Sequence, residues 1–277
     1  MAFGVTSSFS RSFREGNRPL TITSASQLPN LEVWYYADVN TNVGGISSGT
    51  EVTSWANAGG LTSHPWNSTG GARPEWFSNI QNGLGVVRFN SSTIGAPTGE
   101  DGDNNERVTI NPVPWSSFVG GTGALPGATL VVLYRSLSTA SGIRYITGSN
   151  DSDLQFGQNG TTYVGATAGA TFSVNSATVD TAFHHMILTF DGTQTGNANR
   201  LKARLDGADV TLTFTGTVGT ALAANSGYFY GGCTGTNSSN VSNFFIGDLA
   251  EVLIWTRALS PSEILAVEQY LTNKWAV

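Results

Sequence analysis

Leu201-Lys202-Ala203-Arg204-Leu205-Asp206-Gly207, followed two residues later by Val210-Thr211-Leu212-Thr213-Phe214, is the stretch that decides how this chain folds. Apolar and polar side chains alternate on both sides of Asp206-Gly207, and glycine accepts the positive φ of a tight turn, so the pattern predicts a β-hairpin. Working outwards, further short apolar runs stand at 31–37, 86–89, 129–134, 143–146, 185–190 and 249–255, each bounded by Gly, Asn, Asp or Pro. That punctuation is the one sandwich strands show. No repeat of fixed period is present, which excludes a propeller or solenoid. One helix is predicted, at the C-terminus: Ser260 caps it, Pro261 takes its first position, and Glu263 completes a capping box. Leu259 and Ile264 are placed for a hydrophobic staple, and Ile264, Val267 and Leu271 share a face that can pack on a sheet, with Trp275 closing the chain.

Composition agrees with many short strands and tight turns: charged residues are only 12% of the 277, against 34 glycines. A net charge of −6 removes any global electrostatic case for nucleic acid. No apolar run reaches transmembrane length, and the first residues lack the apolar stretch of a secretory signal, so synthesis in a cytoplasm without export is the expectation. The single cysteine, Cys233, excludes an intrachain disulfide framework and is expected to be a small buried hydrophobe. Residues 1–29 differ from the rest. Phe3, Phe9 and Phe13 alternate there with serines and with Arg11, Arg14 and Arg18, without a sustained strand or helix period. This segment is read as an extended docking arm, and residues 30–277 as one jelly-roll domain.

Several segments, taken in order, resemble the concanavalin A-like lectin/glucanase superfamily in its laminin G-like form, of the kind found on phage and bacterial surfaces. They are Leu31-Glu32-Val33-Trp34-Tyr35-Tyr36-Ala37-Asp38, Val52-Thr53-Ser54-Trp55-Ala56-Asn57, Arg73-Pro74 and Gly83-Leu84-Gly85-Val86-Val87-Arg88-Phe89 in the first half. The second half adds His185 to Asp191, Arg204-Leu205-Asp206-Gly207, and Phe245 to Val252 running on through Arg257-Ala258-Leu259-Ser260 into the closing helix. The resemblance spans roughly residues 31–275 and implies an all-β fold, an antiparallel jelly-roll sandwich with one C-terminal helix, to which the extended N-terminal arm is added. It implies function poorly, because the fold hosts lectins, hydrolases, adhesion modules and virion proteins.

Hydrolases of that superfamily carry paired carboxylates on one strand. The nearest match, Asp101-Gly102-Asp103-Asn104-Asn105-Glu106, begins with Asp in place of Glu and has no apolar face to bury, so it reads as a loop and not as an active site. The same loop places oxygen ligands at alternate positions, Asp101, Asp103 and Asn105, as the start of a calcium loop would; the competing reading is a solvated acidic loop. Asn150, Asp151 and Asp153 form a weaker cluster of that kind. His64, His184 and His185 have no metal-ligand spacing, and the chain is expected not to be an enzyme.

Carbohydrate is gripped by an exposed aromatic face flanked by polar groups, which nominates Trp66, Trp76 and Trp115, all outside the clearest strand runs. Their other reading is that they cap the ends of the sandwich, while Trp34, Trp55, Trp255 and Trp275 suit the core. The arm carries three arginines against Glu15 alone, able to pair with carboxylates of a capsid or tail protein while its phenylalanines fill pockets. The expectation is therefore a lectin-like virion component, a phage capsid decoration (cement) protein that forms a homo-oligomer, with a carbohydrate-binding adhesion module for host polysaccharide as the alternative and a glycoside hydrolase third.

Overall fold

The turn at Asp206-Gly207 forms as expected, with φ of 49° and 80°. The same pair of positive φ values recurs at Asn82-Gly83 (49° and 74°) and at Ala168-Gly169 (47° and 84°). Each joins adjacent antiparallel strands through two residues, because this turn type matches the right-handed twist of the strands it connects. The computed structural model describes residues 20–61, 64–68, 73–89, 106–110, 124–149, 153–223, 229–235 and 241–277.

Along the chain the strands are β1 (Leu31–Tyr36), β2 (Thr50–Glu51), β3 (Ser54–Trp55), β4 (Trp66–Asn67), β5 (Glu75–Gln81), β6 (Leu84–Phe89) and β7 (Val108–Ile110). There follow β8 (Gly127–Ser136), β9 (Ile143–Ser149), β10 (Leu154–Asn159), β11 (Thr162–Thr167), β12 (Ala170–Thr178) and β13 (Phe183–Asp191). A single turn of helix, α1 (Asn197–Arg200), leads into β14 (Leu201–Leu205), β15 (Ala208–Val210), β16 (Leu212–Thr215), β17 (Phe229–Gly231), β18 (Thr234–Gly235), β19 (Val241–Ser242) and β20 (Gly247–Trp255), and α2 (Pro261–Trp275) closes the chain.

Two sheets result. The first runs β15-β14-β13-β8-β20-β6-β5-β2, with β1 also paired to β20; the second runs β16-β12-β11-β10-β9-β17-β7-β4-β3. Every pairing between named strands is antiparallel. Between the sheets lies the main core, to which the first contributes Val33, Tyr35, Val87, Leu130, Val132, Met186, Leu188 and Ile254 and the second Ile146, Phe156, Tyr163 and Phe229. The outer face of the first sheet is covered as well. Val86, Val131, Leu133, Ile187 and Leu253 form a second cluster with Val267, Leu271 and Trp275 of α2. Strands buried on both faces lose their alternation, which is why β20 and most of β8 read as continuous apolar runs.

The domain boundary differs from the one the sequence suggests. Ile22, Ala25 and Leu28, placed in the arm by sequence, are buried in the cluster under α2. Ser24 and Gln27 make a capping box around a 3-10 turn, and that turn points Ala25 inwards. Arg257 Nε also donates to the Pro29 carbonyl at 3.2 Å. Residues from Ile22 onwards therefore pack as part of the sandwich. Phe3, Phe9, Arg11, Phe13, Arg14 and Arg18 lie outside the described residues.

Candidate functional site

The structure removes two of the three nominated sugar-stacking tryptophans. Trp66 is fully buried, stacked between Tyr35 (ring centroids 4.1 Å apart) and Phe229 (5.7 Å). Trp76 is 6% exposed, and its Nε1 donates to the Ala37 carbonyl at 2.8 Å. Its indole occupies the space a side chain at position 85 would need: a Cβ on Gly85 would come within 2.5 Å of it. Neither indole offers a face to a sugar; both are core. Trp115 lies outside the described residues, as do Asp101, Asp103 and Asn105. Trp55, Trp255 and Trp275 are fully buried, while Trp34 is only half-buried and donates through Nε1 to Glu251 at 2.6 Å.

Four carboxylates are buried among the described residues, Asp153, Asp248, Glu251 and Glu268, and each is held by partners. Asp153 accepts from the Ala223 amide at 3.2 Å. Asp248 lies between Arg88 (2.5 and 3.1 Å) and Arg135, whose Nε is 2.9 Å away. Glu251 accepts from Tyr270 Oη and Trp275 Nε1 at 2.7 Å each and from Lys274 Nζ at 3.1 Å, besides Trp34. A bulge between Leu249 and Glu251 creates this arrangement, because the extra residue turns Glu251 outwards to α2 while Val252 stays in the main core. Burial, with the Glu251 charge beside it, pushes the Tyr270 phenol far above its ordinary range. Glu268 takes Arg204 Nε at 2.7 Å. These are the rivets that hold helix and strands together.

A cleft of about 600 Å³ opens on the outer face of the first sheet, beside the first turns of α2. Thr189 and Asp191 reach it from β13, Lys202 and Arg204 from β14, and Asp209 from β15. These are the outward positions of strands whose Leu188, Phe190, Ala203 and Leu205 face the core. Gln194 and Asn199 enter from the β13–β14 connection, and residues 257–265 supply the opposite wall, including Leu265, which is 57% exposed. Thr129 Oγ1 bridges the Arg257 carbonyl and the Leu259 amide, both at 3.0 Å, and pins that wall to β8.

Most of the charge in the cleft is already spent. Arg257 grips Glu263 with both terminal nitrogens (2.8 and 2.7 Å), and this pair, with the Ser260 cap, holds the Glu263 carboxyl at about 2. Asp191 accepts from Thr193 and Gln194, which lower it too. Arg204 is divided among Glu268, Asp209 and the Gly207 carbonyl. Lys202 alone among the cleft's basic side chains makes no hydrogen bond or close ion pair with the described residues, and it acts on Asp191 only through its field. Sequence reasoning missed this cleft because its residues come together from β13, β14, β15 and α2, and no local motif marks it.

At the opposite end of β13, His184 bridges two acids, Nε2 to Asp180 at 2.8 Å and Nδ1 to Asp206 at 2.6 Å. Those bonds raise it to about 9, so it is a cation at neutral pH. His185 points the other way and is buried, as the alternation of a strand requires; desolvation lowers it. Cys233 is buried and its thiol is pushed far up by desolvation, which makes it a packing residue, not a nucleophile. Among the described residues no group of three or more His, Cys, Asp or Glu side chains is arranged to hold a metal ion, and no helix is long and apolar enough to cross a membrane.

Comparison with known proteins follows the architecture. The binding domain of paraclostridial mosquitocidal protein 1 superposes with a TM-score of 0.54 at 13% identity, over 88% of this chain and 53% of that one. The binding domain of botulinum neurotoxin serotype D/C gives 0.49 at 12% identity over 89% and 52%, and Trypanosoma rangeli sialidase with sialic acid gives 0.49 at 13% over 91% and 34%. This chain thus spans about a third to a half of those chains, and the likeness is one of fold. No curated protein matches the sequence. A sequence profile matches residues 124–265, just over half of the 277 residues and the stretch that carries β8 to β20 and the cleft, and by that match the chain belongs to the concanavalin A-like lectin/glucanases superfamily.

Proposed function

We propose that this chain is a non-enzymatic, lectin-like structural protein of a virion, a phage capsid decoration protein held to a capsid or tail subunit by residues 1–19, with the sandwich as its projecting body and a symmetric homo-oligomer as its assembled form. The observation that carries the non-enzymatic part is the state of the acids in the cleft. Glycoside hydrolysis needs one carboxyl that keeps its proton near neutrality beside a second that does not. Asp191 and Glu263 are both held low by their own partners, and Asp209, the third acid there, is engaged by Arg204 at 2.6 Å, an arrangement that offers no such pair. Glu51 and Glu75 do stand opposite each other on β2 and β5, but neither lines the cleft, and Glu51 is spent on Arg73 at 3.1 Å.

The docking part is supported by the aromatic and arginine content of the first residues, and by the packing of Ile22, Ala25 and Leu28 into the body. Purified particles should contain the chain, and a version that begins at residue 20 should fold normally yet fail to sediment with them. Its absence from purified particles, or undiminished association of the shortened chain, would remove this reading.

A second reading, a carbohydrate-binding adhesion module for host polysaccharide, is favoured by the cleft, whose mixed polar and apolar walls suit a hydroxylated ring. A calcium ion at Asp101, Asp103 and Asn105 would belong to either reading. Calorimetric titration of calcium into the chain and into Asp103→Asn tests it, with loss of a calcium heat in the variant as the expected result.

A further inference from the structure

We propose that the cleft beside α2 is a binding site for an acidic saccharide, with the Lys202 ammonium receiving the sugar carboxylate and the apolar lip of Ile264 and Leu265 covering a ring face. The proposal rests on the second reading above, that the chain binds glycan, and adds the place and the charge class of the ligand.

Three acids and three bases line the cleft: Asp191, Asp209, Glu263, Lys202, Arg204 and Arg257. Arg257 is committed to Glu263 and to the Pro29 carbonyl, and Arg204 to Glu268, Asp209 and Gly207. Asp191 is saturated by Thr193 and Gln194. The chain has only two lysines, and Lys274 is consumed by Glu251 and Asp38, each at 3.1 Å. Lys202 is exposed on β14, with three N–H donors and a full charge not paired among the described residues. A carboxylate gives such a group its strongest partner, since charge-assisted hydrogen bonds are about twice as strong as neutral ones.

The rest of the ligand is specified by the walls. Gln194 donates from its amide to Asp191 and Asn199 to the Thr195 carbonyl, and the side-chain carbonyl oxygens of both are left to accept from hydroxyls. Leu265 is 57% exposed on the first turns of a helix whose inner face is fully packed, and it stands at the rim with Ile264 and Pro261. An apolar rim, hydroxyl acceptors and one ammonium in about 600 Å³ describe a short glycan with a carboxylate.

The test titrates the full chain with galacturonate trisaccharide and, in parallel, with the neutral galactose trisaccharide, by calorimetry or by NMR shift mapping. Binding of the acidic sugar is expected to shift Lys202, Asn199 and Leu265, and to weaken as salt is raised. Lys202→Ala should weaken it about tenfold or more, and Leu265→Asp, which sets a like charge at the rim, should abolish it. Both side chains are exposed, so thermal unfolding of the variants should match the parent. Binding of either sugar with no loss in Lys202→Ala overturns the site while leaving the lectin reading intact. Binding of neither sugar, in a chain that also binds no other glycan on an array, overturns both.

Discussion

Trp66 and Trp76 show how a residue's role is settled by what stands opposite it. Both follow a proline closely in sequence, Pro65 and Pro74, and both read as loop aromatics. Trp66 is instead the centre of a stack that Tyr35 and Phe229 complete from distant strands, and Trp76 fills the space that Gly85 leaves. A glycine inside a strand marks close approach by another group, so Gly85 was the available signal for Trp76. Trp66→Ala or Trp76→Ala should cost about 3–5 kcal/mol of stability, the range for emptying a buried aromatic site. Denaturant unfolding checks this, and a variant as stable as the parent would contradict the burial described. Glu251 makes the parallel case for polar groups. Glu251→Ala strands two indoles and a phenol at once, leaves Lys274 to its pair with Asp38, and should destabilise by roughly 3–5 kcal/mol, most of it from leaving donors without an acceptor. His184 sets a pH dependence. Its folded value, about 9, lies above the ordinary 6.5, so the stability it lends is complete below 6.5 and is lost as the pH rises from there through 9. Melting curves across that window should fall for the parent and flatten in His184→Gln; equal slopes would remove the clamp from the account.

Elements were the most legible level. The capping box at Ser260 and Glu263 forms with all its bonds, Ser260 Oγ accepting from the Glu263 amide and the Glu263 carboxylate accepting from the Ser260 amide at 2.8 Å. Its removal in Ser260→Ala should cost about 1 kcal/mol, read as a lower midpoint in urea. The turn between β14 and β15 was legible for an equally local reason, since Asp206-Gly207 carries its geometry in two residues, but the returning arm ends at Val210, and Leu212–Thr215, read as part of it, pairs with β12 in the second sheet. Strands β10, β11 and β12 were not read from the sequence. Gly157 and Gly165 interrupt their apolar pattern, and only the paired strands explain those glycines: a Cβ on Gly157 would lie 2.2 Å from the Arg144 carbonyl. The turn at Ser24 to Gln27 was equally local and went unread, because its capping box sits in a segment whose composition suggested an arm.

At the scale of the molecule, the C-terminal helix and the turn at Ala25 share one cluster, so the two ends of the described chain are held on the same face of the first sheet. A chain that begins at residue 20 should melt like the parent. One that begins at residue 30 gives up Ile22, Ala25 and Leu28, and should lose roughly 3 kcal/mol after the entropy of ordering the segment is counted. By itself the sequence determined the class of fold, the antiparallel hairpins, the closing helix and the absence of a disulfide framework, because these follow from periods, turns and caps that act over a few residues. Only the tertiary structure decided which tryptophans are core, where the body begins, how each buried acid is neutralised, and that Lys202 is left over at the rim of a cleft. Those outcomes depend on side chains brought together from separate elements of the fold, and on which charges find partners there, and neither is written in any local pattern.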